Sequence, residues 1–152
     1  MASMTRSTGS LQARIPPALR PAGSVVIGVV LALHGAAHSL AFLVQWKLMT
    51  STDLSYQTTV LGGHVDLGDI GIRVVGLLWL VAAFGFIVVG VRVAGLMRLE
   101  FLSVATVTIF SLALCLLGLP EASAGIVIDA AILRVLALVW TIGARRAARL
   151  KG

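Results

Sequence analysis

Histidine is expensive in hydrocarbon, yet this chain places two of them four residues apart in an apolar run, LALHGAAHSLAF at 31–42. A spacing of four puts His34 and His38 on one face of a helix, and Gln45 falls on that face too. Imidazoles so placed can move protons near neutral pH, donate hydrogen bonds or ligate a metal. Arg73, Asp129 and Arg134 lie in comparably apolar surroundings. Ionisable groups inside apolar spans face protein or water rather than lipid, so these residues are the first candidates for a site.

Counting ~1.5 Å per helical residue from either side of a bilayer sets His34 and Arg134 near its middle. His38, Asp129 and, higher still, Arg73 fall in the outer half. This predicts an outward-opening polar pocket of His34, His38, Gln45, Arg73, Asp129 and Arg134. In it Asp129 pairs with Arg73 or a charged His38, and Arg134 is buried with a partner of its own. Asp129 and Arg134 stand about 140° apart on a helical wheel and do not pair directly. His64 and Asp69, in the outer loop, are the expected caps. The plainer reading is that the histidines only fix helix packing, while Arg73 and Asp69, an i,i+4 pair, snorkel to the surface.

Several chemistries fit these residue types. Bis-histidine haem ligation needs imidazoles on opposite sides of one iron, and His34 and His38 share a helix face, so haem is not expected. Zinc can take His at i and i+4 with Asp129 or His64 as a third ligand. HxxxH alone, with Gly-Ala-Ala between and no catalytic Glu, does not call for a metal. His, Asp and Arg together also suit proton-linked transport or general acid–base work on a lipid or quinone. Small multidrug transporters rely on a carboxylate in their first span, which this chain lacks there. No motif names a cofactor or substrate.

The elements that must position these residues follow from composition. The chain is 59% hydrophobic and 12% charged with a mean hydropathy of +1.03, too greasy for an ordinary soluble domain. Its apolar residues fall in blocks long enough to cross ~30 Å of hydrocarbon as helices. They do not alternate as the strands of a membrane barrel do. The expected fold is all-α: an integral membrane four-helix up-down bundle over 24–143. Its spans are about 24–45, 70–91, 101–119 and 124–143, with an outer loop at 46–69.

The net charge of +6 would suit nucleic acid, but its placement argues for a membrane instead. Arg6, Arg14 and Arg20 precede the first span, Arg92 and Arg98 sit between the second and third, and Arg145, Arg146, Arg149 and Lys151 follow the fourth. Positive charge gathers on the cytoplasmic side, so both termini are expected there, in a multi-pass protein of the inner or plasma membrane. The expected partners are membrane lipids and a second copy or a membrane partner protein, with no nucleic acid. Residues 1–23 read as a disordered basic segment and 144–152 as a basic tail facing lipid headgroups. The first apolar run is too long for an ordinary signal peptide.

Small residues give each span a packing stripe: Gly28, Ala32 and Ala36; Gly76, Ala83 and Gly90; Thr108, Ser111, Cys115 and Gly118; Ala130, Ala131 and Ala137. Trp79 and Trp140 read as packing residues. A single cysteine excludes an internal disulfide or a CxxC redox pair, leaving Cys115 as a small hydrophobe.

The first span, an aliphatic run ending in HGAAHSLAF, resembles the DoxX-like group of small four-helix membrane proteins. The matching residues are His34, Gly35, His38 and Phe42, and the size agrees. The resemblance implies a four-helix membrane fold associated with redox or stress systems. The functional expectation is a small membrane protein whose polar pocket binds a small ligand or supports a redox complex. The alternatives are a structural or assembly subunit, and a proton-linked transporter or lipid- or quinone-modifying enzyme.

Overall fold

The computed structural model describes residues 22–50, 54–96 and 101–149. Four helices carry the chain: α1 Ala22–Gln45, α2 Gly68–Val91, α3 Phe101–Leu117 and α4 Ser123–Arg149. Helices α1, α2 and α4 are long and apolar enough to cross a membrane, whereas α3, at 17 residues, is shorter. Helix α4 continues past the expected end of the fourth span to Arg149, so much of the expected basic tail is helical. The expected disordered segment lies outside the described residues except for Ala22 and Gly23, which open α1. Arg6, Arg14, Arg20, Arg98 and Lys151 also lie outside them.

Neighbouring helices run antiparallel. Along α1 and α2, Gly28 meets Gly90, Gly35 meets Ala83 and Phe86, and Gln45 meets Gly76, so positions rise on one helix as they fall on the other. The α2 stripe of Gly76, Ala83 and Gly90 repeats every seven residues, close to two helical turns, and stays on one face. All three are buried against α1. At Gly28 and Gly90 the two backbones touch: a Cβ on Gly90 would sit 3.0 Å from the Ala32 nitrogen. Small residues permit such an approach, and dispersion between closely packed helices then holds the seam.

Helix α2 also packs on α3, where Val107 lies against Gly85 and Trp79 against Gly118. Helix α4 packs on α3 through Gly125, where a Cβ would stand 2.5 Å from Cys115 Sγ. The inward face of α4 is thus Gly125, Asp129, Ile132 and Leu136, a stripe with helical periodicity. The alanine stripe expected there is not the contact: Ala131 and Ala137 are exposed, and so is Trp140. Ala131 falls on the side away from Asp129, which also displays Val127 and Leu138.

The connection from α1 to α2 carries a small hairpin, β1 Thr59–Val60 paired antiparallel with β2 Val65–Asp66. Its turn uses Gly62 and Gly63 at φ 66° and 88°, a region glycine enters without a Cβ penalty. The hairpin docks on the end of α3: Leu61 N–H donates to Leu117 O (2.8 Å) and Gly62 N–H to Leu119 O (2.9 Å). Val60 thereby joins the core of Ile72, Val75, Trp79, Ala82, Leu114 and Cys115.

Candidate functional site

The centre of the bundle holds a fully buried carboxylate. Asp129 Oδ1 accepts from His34 Nε2 at 2.9 Å, and Oδ2 accepts from the Ser111 hydroxyl at 2.7 Å. The Cys115 thiol approaches Oδ2 at 3.7 Å. His38 Nε2 lies 2.8 Å from Ser111 Oγ. Since the single hydroxyl proton of Ser111 is given to Asp129, its oxygen accepts from His38 Nε2–H. Every donor in this chain of bonds therefore points toward the carboxylate.

The members come from three inward-turned helix faces, those of α1, α3 and α4. His34 and His38 sit side by side on α1, their rings 4.6 Å apart and edge to face. Phe86 of α2 packs on both imidazoles, 4.8 Å and 5.6 Å from them, and Trp79 lies 5.1 Å from His38. Gly35, between the histidines, brings α1 close to Ala83 and Phe86, and that approach presses the rings inward. Ser111 and Cys115 are i,i+4 on α3, facing Asp129 across the α3–α4 seam.

The histidines and Cys115 line one end of a cleft of about 330 Å³, within the range of small-ligand sites. Its walls are mainly apolar: Val44 from α1, Ile72, Val75 and Trp79 from α2, and Ile128 from α4. Its other end is polar, with Gln45, Ser55, Gln57 and Glu121; Gln57 Nε2 donates to Glu121 Oε1 at 3.1 Å. Gln45 keeps one buried oxygen, Oε1, without a hydrogen-bond partner among the described residues. Helices α1 and α4 are not a closely packed pair; Ala37 and Leu40 face Ala124 and Ile128 across the cleft, and all four are exposed.

This arrangement brings His34, His38, Gln45 and Asp129 to one cavity or its immediate wall. It leaves Arg73 and Arg134 out. Both arginines are exposed, so neither lies in the expected pocket and Asp129 bonds His34 instead of Arg73. For Arg134 the reason is the wheel: five residues past an inward Asp129, it points outward. Arg73 lies beside the buried stripe of Ile72, Val75 and Gly76 but not on it. His64 is exposed in the hairpin turn and does not line the cleft. Asp69 is equally remote, accepting from the Tyr56 hydroxyl and lying 3.8 Å from Lys47 Nζ.

Ser111 and Cys115 are the site residues that the sequence reading misses, having assigned both to packing. Their signal is present nonetheless. A hydroxyl and a thiol four residues apart in an apolar helix make a second inward polar face. A buried aspartate on the next helix needs such a face.

The loop end has its own electrostatics. Asp66 accepts the Gly68 N–H at 3.0 Å, and this bond, with one from Thr58, holds its carboxyl below the usual range. Tyr56 is held above the ordinary phenol range, chiefly by donating to Asp69. Because the Asp66 carboxyl is lowered on folding, its contribution is present above about pH 4 and is lost as pH falls through the lowered value. Hydrogen exchange at the Gly68 amide, corrected for intrinsic rate, should lose protection below about pH 4. Asp66→Ala should make that protection weak at every pH.

No protein family, curated protein or solved structure matches the chain. The reading of the site rests on its own geometry.

Proposed function

We propose that the protein is a four-span inner- or plasma-membrane protein, both termini cytoplasmic, that binds a small amphiphile. The polar end of the ligand meets the imidazoles of His34 and His38, and its apolar remainder lies along the α1–α4 side of the cleft. The observation that carries this reading is the cleft itself: imidazoles at one end, aliphatic and indole walls, and an exposed apolar seam of Ala37, Leu40, Ala124 and Ile128 between two helices not packed on each other. A water-soluble ligand would have little use for that seam. An amphiphile would use the whole cleft, including the unpaired oxygen of Gln45 near its polar end.

The positive-inside charge pattern supports an outward-facing Gln45 end, and three long apolar helices support the membrane setting. Lipids then cover the apolar belt of α4. The likeness to DoxX-like proteins agrees with this setting and adds no activity.

A packing role for the cluster has one observation in its favour: Asp129, Ser111 and both Nε2 atoms satisfy one another. Ala37→Trp separates the two readings, because Ala37 is exposed on the cleft and lies outside the hydrogen-bond network. Organic extracts of the purified wild-type protein should contain one amphiphile near stoichiometric amount. The Trp variant should elute as the same folded species and lose it. Extracts holding only bulk membrane lipid in both proteins would leave packing as the role of the cluster.

A further inference from the structure

We propose that His34, His38 and Asp129 form a binding site for a divalent transition-metal ion of the zinc class. One ligand atom from each of the three lies within 4.8 Å of the others, and all three residues are buried. Two imidazoles and a carboxylate suit zinc and its neighbours. Tetrahedral bonds of about 2.0–2.2 Å place such ligand atoms roughly 3.3 Å apart. The His34 Nε2–Asp129 Oδ1 separation is already 2.9 Å, and the rest of the set must contract from within 4.8 Å to the tetrahedral spacing.

Charge gives the second argument. Asp129 is wholly buried, and its hydrogen-bond partners are a histidine, a hydroxyl and a thiol. None of these is a permanent cation, and the exposed Arg73 and Arg134 do not reach it. A bound divalent ion would bring a cation to a carboxyl group that has none beside it among the described residues. Ser111 would stay on the second carboxylate oxygen, the outer partner that orients a metal ligand.

With three protein ligands the fourth position is open. Both imidazoles line the cleft, so water or an oxygen donor from the cleft would be available to fill that position. The site goes beyond the amphiphile reading and does not depend on it: metal content is read on protein stripped of lipid.

The full chain in detergent, freed of metal by chelation, is titrated with Co²⁺ as a coloured stand-in for Zn²⁺. One equivalent should bind with visible d–d bands, and Zn²⁺ should displace it. Asp129→Asn and His38→Gln should weaken binding more than about 100-fold. Ser111→Ala should cost about 10–100-fold, as loss of an outer-shell partner does. His64→Ala, at an exposed histidine away from the cluster, should bind as the wild type does. X-ray absorption of the wild-type zinc protein needs no variant to fold and should count two imidazole ligands. Absence of stoichiometric binding, binding abolished by His64→Ala, or fewer than two imidazoles on zinc would each overturn the site.

Discussion

Asp129→Ala should be the most damaging single change in the chain, costing about 2–6 kcal/mol, at about 1–3 kcal/mol for each buried donor left without its acceptor. Two donors lose their acceptor at once: His34 Nε2–H and the Ser111 hydroxyl. Both donors are buried. His38, which leans on Ser111, is loosened in turn. Asp129→Asn retains the shape and an acceptor oxygen, but it sets an amide donor or a neutral oxygen against the Ser111 hydroxyl. Its cost should be about 1–3 kcal/mol, that of a mismatched buried hydrogen bond. Circular dichroism during thermal unfolding in detergent should rank the three proteins wild type, Asn, Ala. An alanine variant as stable as wild type would mean that the carboxylate is not the hub of the cluster.

The second large effect belongs to the α1–α2 seam. A side chain at Gly90 meets the carbonyl oxygen of Gly28 at 2.5 Å and the Ala32 nitrogen at 3.0 Å, both backbone atoms. Backbone cannot swing aside as a side-chain tip does, so Gly90→Leu must push the two helices apart. Overpacking of this kind costs about 1–3 kcal/mol or more. Because α1 also carries His34 and His38, the displacement should reach the cluster and reduce ligand retention. Gly23→Leu is the matched control: nothing lies within 4 Å of its added Cβ, and thermal unfolding should be unchanged. Equal unfolding temperatures for the two variants would show that the seam is looser than the Gly28–Gly90 contact implies.

Much of the fold was legible in the sequence, since apolar block length and the seven-residue glycine spacing report directly on helices and their closest approach. The stripe of Gly76, Ala83 and Gly90 is buried as its periodicity implies. Helix α4 was harder. An alanine stripe is neutral between protein and lipid, so Ala130, Ala131 and Ala137 carried no real preference. The inward face was set by Asp129, which must find donors, and by Gly125, which lets Cys115 in.

The site shows the same division. His34 and His38 announce themselves by type and spacing, and Asp129 by its isolation. Arg134 misled because a count of depth along a helix ignores which way the residue faces. Its offset from Asp129 on the wheel already decided that once the aspartate turned inward. His64 and Asp69 looked like caps from their place in the loop. The hairpin is pinned by main-chain bonds to Leu117 and Leu119, and this leaves both side chains away from the cleft. Ser111 could be recognised only by asking which neutral donor Asp129 would find on the adjacent helix.

The most direct test of amphiphile binding is photo-crosslinking in native membranes, with benzoylphenylalanine placed at Ile128 or at Leu138. Both are exposed positions on α4, but Ile128 lines the cleft and Leu138 does not. The expected result is a single defined adduct mass at Ile128, absent at Leu138, where only mixed phospholipid adducts form. The same phospholipid mixture at both positions would contradict a ligand site in the cleft.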